Sequence, residues 1–166
     1  MHGSNESEIS IVRATAEDLR DLERLVARIE VEDRPDDPQA ASRAPVGMAR
    51  SLSRYDALSS DSAWFLVAYR AAQPAGLAVL TRVPKLDARV GFLYLDELHV
   101  LREHRRRGIG RALLRASTDL AMELGLAGIR LLARPDNEPA RALYESLGFR
   151  RSGTLLYQNR VDRREA

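Results

Sequence analysis

Residues 105–111 read Arg105-Arg106-Arg107-Gly108-Ile109-Gly110-Arg111. The run before them, Val90 to Val100, is apolar and aromatic-rich and predicts a strand. The stretch after them, Ile109 to Leu124, carries apolar residues at helical spacing and predicts a helix. A basic, glycine-bearing turn between strand and helix is suited to hold an anion. Glycines let the backbone approach closely, the first N–H groups of a helix lack internal acceptors, and the helix dipole favours negative charge. The arginines add fixed positive charge suited to phosphate.

Downstream, Gly125 and Leu126 form a helix C-cap with its hydrophobic follower. Gly128 to Ala133 predicts a short strand and Pro135 to Glu138 a turn. Asn137 to Leu147 predicts a helix with Ala140, Leu143, Tyr144 and Leu147 on one face, closed by Gly148-Phe149. Thr154 to Asn159 predicts a last strand. Upstream, Ile9 to Val12 predicts a first strand. Thr15, followed by Glu17 and Asp18, caps a helix carried by Leu19, Leu22, Leu25, Val26 and Ile29 to about Val31. Glu32 to Pro38, acidic and proline-bearing, reads as a loop, and Pro45 to Leu58 as a weaker helix with Met48, Leu52 and Tyr55. Trp64 to Tyr69 and Gly76 to Val83 read as strands joined by a hairpin at Gln73-Pro74, and Pro84 to Arg89 as a polar connection. This order predicts an α/β (α+β) domain with a mixed central sheet.

The 166 residues suit one compact domain, able to bury roughly two-thirds of its unfolded surface. A net charge of +2 with 5% aromatic residues argues against a nucleic-acid-coating protein. Apart from Lys85, every basic side chain of the Lys/Arg class is arginine. Cysteine is absent, which excludes disulfides, thiolate metal sites and a cysteine nucleophile. No apolar run reaches the ~18 residues of a membrane span. Residues 1–8 are expected to be disordered, 9–160 to form the single domain, and 161–166 to be a charged tail; the polar Met1 to Ser7 lacks a signal peptide's apolar region. Nothing points outside the cytoplasm.

Two nucleotide motifs fail at the turn. A Walker-type loop needs Gly-Lys-Ser/Thr, and here Gly110-Arg111-Ala112 stands instead. A dinucleotide fingerprint needs a third glycine where Leu113 stands. Taken alone, the turn also fits a solvated basic loop, or a nucleic-acid contact by Arg105 to Arg107.

The flanks add more. Leu95-Asp96-Glu97-Leu98-His99-Val100, then Arg105-x-x-Gly108-x-Gly110, then Asn137-x-x-Ala140-x-x-x-Tyr144-x-x-x-Gly148-Phe149 form a set of fixed order and spacing. This set resembles the GNAT superfamily of acetyl-CoA-dependent N-acetyltransferases, over about Ile9 to Asn159. The resemblance implies a mixed sheet of about six to seven strands flanked by about four helices. It further implies that the strand ending at Val100 splays from the one starting near Gly128. The pantetheine arm of acetyl-CoA would then lie in the gap, paired with backbone around Leu98, His99 and Val100. The amides of Arg105, Arg106, Arg107, Gly108, Ile109, Gly110 and Arg111 would hold the pyrophosphate. The partners implied are acetyl-CoA and an amine acceptor, small molecule or protein, with no metal, no nucleic acid and no membrane; a homodimer is common in the family.

Acetyl transfer to an amine requires a neutral amine, a donor for the developing oxyanion and a proton for the leaving thiolate. An alkylammonium titrates near about 10 and a thiol near about 8.5, so both a base and an acid are useful. Tyr144 matches the family's general acid; without the motif it would read as a core tyrosine. Asn137 would contact the cofactor arm, and is also a good helix N-cap before Glu138-Pro139. Strand alternation puts Asp96 and Glu97 on opposite faces, so at most one readily faces a cleft. Glu97 is the preferred base, with a water relay, Asp96, or His99 as alternatives. Some family members acting on protein N-termini carry a glutamate five residues before the asparagine; here Leu132 stands there, which speaks against that arrangement. The acidic stretch Glu30, Glu32, Asp33, Asp36 and Asp37 reads either as a solvated loop or as a rim attracting a cationic acceptor. Two functions are therefore carried forward: direct acetyl transfer, and a catalytically silent acyl-CoA-binding or regulatory module.

Overall fold

The computed structural model describes residues 8–85, 90–154 and 156–158, with the side chains of 49–51 and 53–55 set aside. These residues fall into two units, one ending at Arg134 and one beginning at Pro135. The first holds a sheet of five strands in sequential order: β1 (Ile9–Arg13), β2 (Ala63–Arg70), β3 (Gln73–Val83), β4 (Phe92–Val100) and β5 (Ile129–Leu131). Neighbours from β1 to β4 are antiparallel, and β4–β5 is parallel. The sheet is mixed, as expected, but has five strands among the described residues rather than six to seven. Thr154 and 156–158 are not strand. The expectations for 1–7, 86–89, 155 and 159–166 lie outside the described residues.

Helices α1 (Leu19–Asp33) and α2 (Ala40–Tyr55) precede β2, and α3 (Ile109–Glu123) connects β4 to β5. Thr15 and Asp18 form the capping box that opens the first helical turn: the Thr15 N–H donates to Asp18 Oδ2 at 2.8 Å and Thr15 Oγ1 accepts from the Glu17 N–H at 3.3 Å. α1 runs to Asp33, so Glu32 and Asp33 are helical and not loop. Tertiary contacts of Glu32, described below, override the local acidic signal. α2 begins five residues before Pro45. Its start is set by Asp37, whose Oδ1 accepts the Gln39 N–H at 3.0 Å.

The β2–β3 turn is Ala71-Ala72, both left-handed at φ 49° and 58°, two residues before the expected Gln73-Pro74. Pro74 lies inside β3, where an irregularity in the pairing (Tyr69 opposite Pro74, Ala68 opposite Gly76) leaves Ala75 as an extra residue. A bulge of this kind is where a sheet accepts proline.

α1 packs with α2 and against β3, burying Leu22 and Leu25 against Ala14, Val67 and Leu77. α3 buries Ile109, Leu113, Leu114, Ser117, Leu120 and Ala121, a single helical stripe, against β1 to β5. Its N-terminus lies tight on the sheet at Gly76. A Cβ there would meet the His99 carbonyl at 2.8 Å and the side chains of Ile109 and Leu113 at 3.2 and 3.3 Å. The second unit carries α4 (Glu138–Ser146). Its N-cap is Asn137, whose Oδ1 accepts the Ala140 N–H at 3.2 Å, and Arg141 donates to the Pro135 carbonyl at 2.8 Å.

Candidate active site

The central feature is an edge of β4 that lacks a strand partner. β5 pairs with β4 only at Leu93, Tyr94 and Leu95, whereas β3 pairs with it as far as Val100. From Asp96 to Val100 the β5 side of the strand is therefore open among the described residues.

The groups on that side follow from the hydrogen bonds at the two ends. The Leu93 N–H donates to the Gly128 carbonyl on the β5 side, and the Leu101 N–H donates to the Ala75 carbonyl on the β3 side. Eight residues of strict alternation would turn both the same way. The phase changes because Val79 faces Glu97 while Leu80 faces Leu95, which leaves Asp96 as an extra, bulged residue. Counting back from Leu101, the amides of Leu98 and Val100 point into the open side and that of His99 toward β3. The Val100 carbonyl, on the same side, accepts from Arg105 Nε at 2.8 Å. At the bulge Glu97 is set beside Val79, on the α1–α2 face of the sheet.

The open edge runs into the turn. After Leu101 a short 3-10 turn spans Arg102–His104. Arg106 (φ 58°) and Gly108 (φ 84°) are left-handed, and Gly108 is the N-cap of α3. The first helical hydrogen bond is from the Ala112 N–H to the Gly108 carbonyl at 2.9 Å, so Ile109 and Gly110 have no intrahelical acceptor. Anions bind at such helix starts. The arginines are not equivalent. Arg105 turns back to Val100, and Arg107 Nε donates to the Glu103 carbonyl at 3.3 Å. These two brace the turn.

Glu32 emerges as a fixing point that no local signal separates from its acidic neighbours. Its carboxylate, only 16% exposed, accepts the Arg102 backbone N–H at 2.9 and 3.1 Å. It also lies 3.5 Å from His99 Nε2 and 3.6 Å from Arg105. Arg102 in turn donates to the Glu32 carbonyl at 2.7 Å. The end of α1 is thereby fastened to the strand–turn junction. His99 is the strand histidine packed beside a helix that the sequence allowed.

On the α1–α2 face, Glu97 lines a cavity of about 440 Å³ with residues of α1, α2, β2 and β3. Among the described residues no hydrogen bond or ion pair reaches its carboxylate. Partial burial in the cavity wall, then the charge of Asp96, push Glu97 above the usual carboxylate range, and Asp33 and Glu30 add to this while His99 opposes it. The acidic stretch is largely neutralised in place. Glu30 pairs with Arg34 at 3.4 Å, Asp37 pairs with Arg43, and Glu32 is engaged as above. Within the second unit, Tyr144 is half-buried, its ring 5.9 Å from that of Phe149. Burial raises its phenol above the ordinary value of 10.0, which keeps it protonated. Among the described residues no group of three or more His, Asp or Glu could hold a metal ion, and no helix is long and apolar enough to cross a membrane.

A strand opened by a bulge, running into a glycine turn at a helix start, is the architecture expected of an acyl-CoA-dependent transferase. The sequence matches the acetyltransferase (GNAT) family over residues 17–149, and the chain belongs to that family, whose co-substrate is acetyl-CoA. It is 32% identical over 158 residues to the N-alpha-acetyltransferase RimI of Mycobacterium tuberculosis, covering 95% of this chain and 89% of that protein. It is 35% identical over 100 residues to the rat N-acetyltransferase family 8 member 3, covering 60% of this chain but spanning only 44% of that relative's length. The fold is shared with an aminoglycoside acetyltransferase from an uncultured soil metagenomic sample, with a TM-score of 0.77 at 24% identity over 93% of this chain and 99% of that one.

Proposed function

We propose that this protein transfers the acetyl group of acetyl-CoA directly to a primary amine. The observation that carries the reading is the unpaired edge of β4 at Leu98 and Val100, ending on the Gly108 turn, with Glu97 one residue away on the α1–α2 face of the sheet. Unpaired backbone amides in a fold are costly and call for a partner. An extended amide-bearing arm is such a partner, so Leu98, His99 and Val100 would hold the pantetheine. The amides from Arg105 to Arg111 would hold the pyrophosphate, and Asn137 would contact the arm.

Bound acetyl-CoA supplies an acyl carbonyl activated as a thioester. The overall change is RNH3⁺ + CH3CO–SCoA → RNHCOCH3 + HSCoA + H⁺: a C–N bond forms and a C–S bond breaks. Glu97, directly or through a water, takes a proton from the ammonium. The elevated carboxyl pKa brings it closer to the group it must deprotonate. The Tyr144 hydroxyl returns a proton to the leaving sulfur. Its motif position supports that role, and its raised pKa keeps the proton available near neutrality. The family match crosses the boundary between the two units, which supports a single catalytic domain over 9–160. Cytoplasmic action and a homodimeric assembly belong to the same proposal as family expectations.

The test is release of CoA thiol across a panel of primary amines. Turnover that falls by at least an order of magnitude in Tyr144→Phe supports the reading. Tight acetyl-CoA binding without release from any amine would instead identify a silent acyl-CoA-binding module.

A further inference from the structure

The cavity beside Glu97 has a largely apolar lining. Leu22, Val26 and Ile29 of α1, Met48 of α2, Phe65 of β2 and Val79 of β3 supply the wall. The same side chains belong to, or pack on, the main core cluster, so the wall is rigid and preformed. Four charged groups line it: Glu30, Arg34, Arg43 and Glu97. Three are already matched, Glu30 with Arg34 and Arg43 with Asp37. Glu97 alone has no partner among the described residues. The cavity thus offers a place for one cation at Glu97, and the other carboxylate of its lining, Glu30, is already paired with Arg34. A volume of about 440 Å³ is within the range of small-molecule sites and exceeds what an amino group alone needs.

We infer that the acceptor is a primary amine bearing a single positive charge and an apolar substituent of leucine to phenylalanine size, the amine at Glu97 and the substituent against the α1–α2 wall. The inference rests on the acetyl-transfer reading and specifies its substrate class. Polycationic acceptors such as polyamines and aminoglycosides fit poorly, because their further ammonium groups would meet the apolar side chains of the wall, where no second unpaired carboxylate lines the cavity among the described residues. The amine could belong to a free molecule or to the first residue of a peptide. Both present the same chemistry to the cavity.

The experiment measures kcat/KM from CoA release for leucinamide, phenylalaninamide, glycinamide and spermidine, and for a hexapeptide beginning with Leu against one beginning with Gly. The apolar amides are expected to exceed glycinamide by about tenfold or more, the range an apolar pocket gives for added carbons, and to exceed spermidine by at least as much. A larger value for the Leu hexapeptide than for leucinamide assigns the amine to a chain terminus; the reverse assigns it to a free molecule. Met48→Trp, which fills the cavity from α2, is expected to lower kcat/KM for leucinamide and phenylalaninamide more than for glycinamide and so abolish the preference; Ile29→Phe is the second variant should the first fail to fold. Glycinamide or spermidine used as well as leucinamide by wild-type protein overturns the inference and leaves acetyl transfer standing. No release from any amine overturns both.

Discussion

The two sides of β4 are built from different materials. On the β5 side the site is backbone: the amides of Leu98 and Val100, the left-handed Gly108 and the first turn of α3. On the α1–α2 side it is side chains drawn from four elements around Glu97. The first surface suits a ligand that is the same for every turnover, since backbone geometry tolerates sequence change. The second suits a ligand that distinguishes one enzyme from its relatives. A single bulge at Asp96 serves both, because it turns two amides outward and sets Glu97 toward the cavity.

The largest expected effect tests the side-chain surface. Glu97→Gln should lower kcat/KM by about 10²–10⁴-fold, the range for a general base, and remove an acid limb lying above the usual carboxylate range. The sign for stability is opposite. A carboxyl whose folded-state pKa is raised contributes stability that is complete below its unfolded value of 4.5 and is lost as pH rises through the folded value. Glu97→Gln should therefore melt at the same or a higher temperature near pH 7. A clear drop in Tm would recast Glu97 as a structural residue.

The backbone surface is tested next. Gly108→Val places a β-branched residue at φ 84°, a conformation costing about 1–3 kcal/mol; acetyl-CoA affinity by calorimetry should fall about tenfold or more, and Gly110→Leu should act in the same direction. Unchanged affinity in both would detach the turn from the donor. The fastening between the two sides comes third. Hydrogen bonds to a charged group contribute about 1.5–3 kcal/mol, so Glu32→Ala should raise KM for acetyl-CoA about tenfold with kcat little altered. Glu32→Gln, which can still accept the Arg102 N–H, should recover most of the loss. The smallest effect lies away from both surfaces. Replacing Ala71-Ala72 by Asn-Gly, the pair suited to two left-handed turn residues, should add about 1 kcal/mol and raise Tm by a few degrees without changing either KM.

The same contrast explains what could be read from the chain. The strand, the basic turn and α3 are contiguous from Val90 to Leu124, so local periodicity and glycine placement carry them. Asn137 is legible for the same reason: a side chain that caps its own helix needs only local sequence. Glu32 was not legible, because its hydrogen bonds reach residues about 70 positions away, and nothing local separates it from Glu30 or Asp33. The bulge at Asp96 was equally hidden, since a run of alternating residues does not reveal where a pairing slips. The Ala71-Ala72 turn escaped because alanine carries no turn signal, while Pro74, which does, is absorbed at a bulge. The acidic run misled in the other direction: three of its charges look free in one dimension and are engaged in three, Glu30 by Arg34, Asp37 by Arg43 and the Glu32 carboxylate by the Arg102 N–H.

Amide hydrogen exchange on the whole protein, followed residue by residue along β4 with and without acetyl-CoA, tests the central claim most directly. The account predicts that Leu98 and Val100 exchange readily in the free protein and slow markedly when acetyl-CoA is added, while His99, facing β3, is protected in both states. Equal exchange of Leu98 and Val100 in the two states, with acetyl-CoA demonstrably bound, would contradict it.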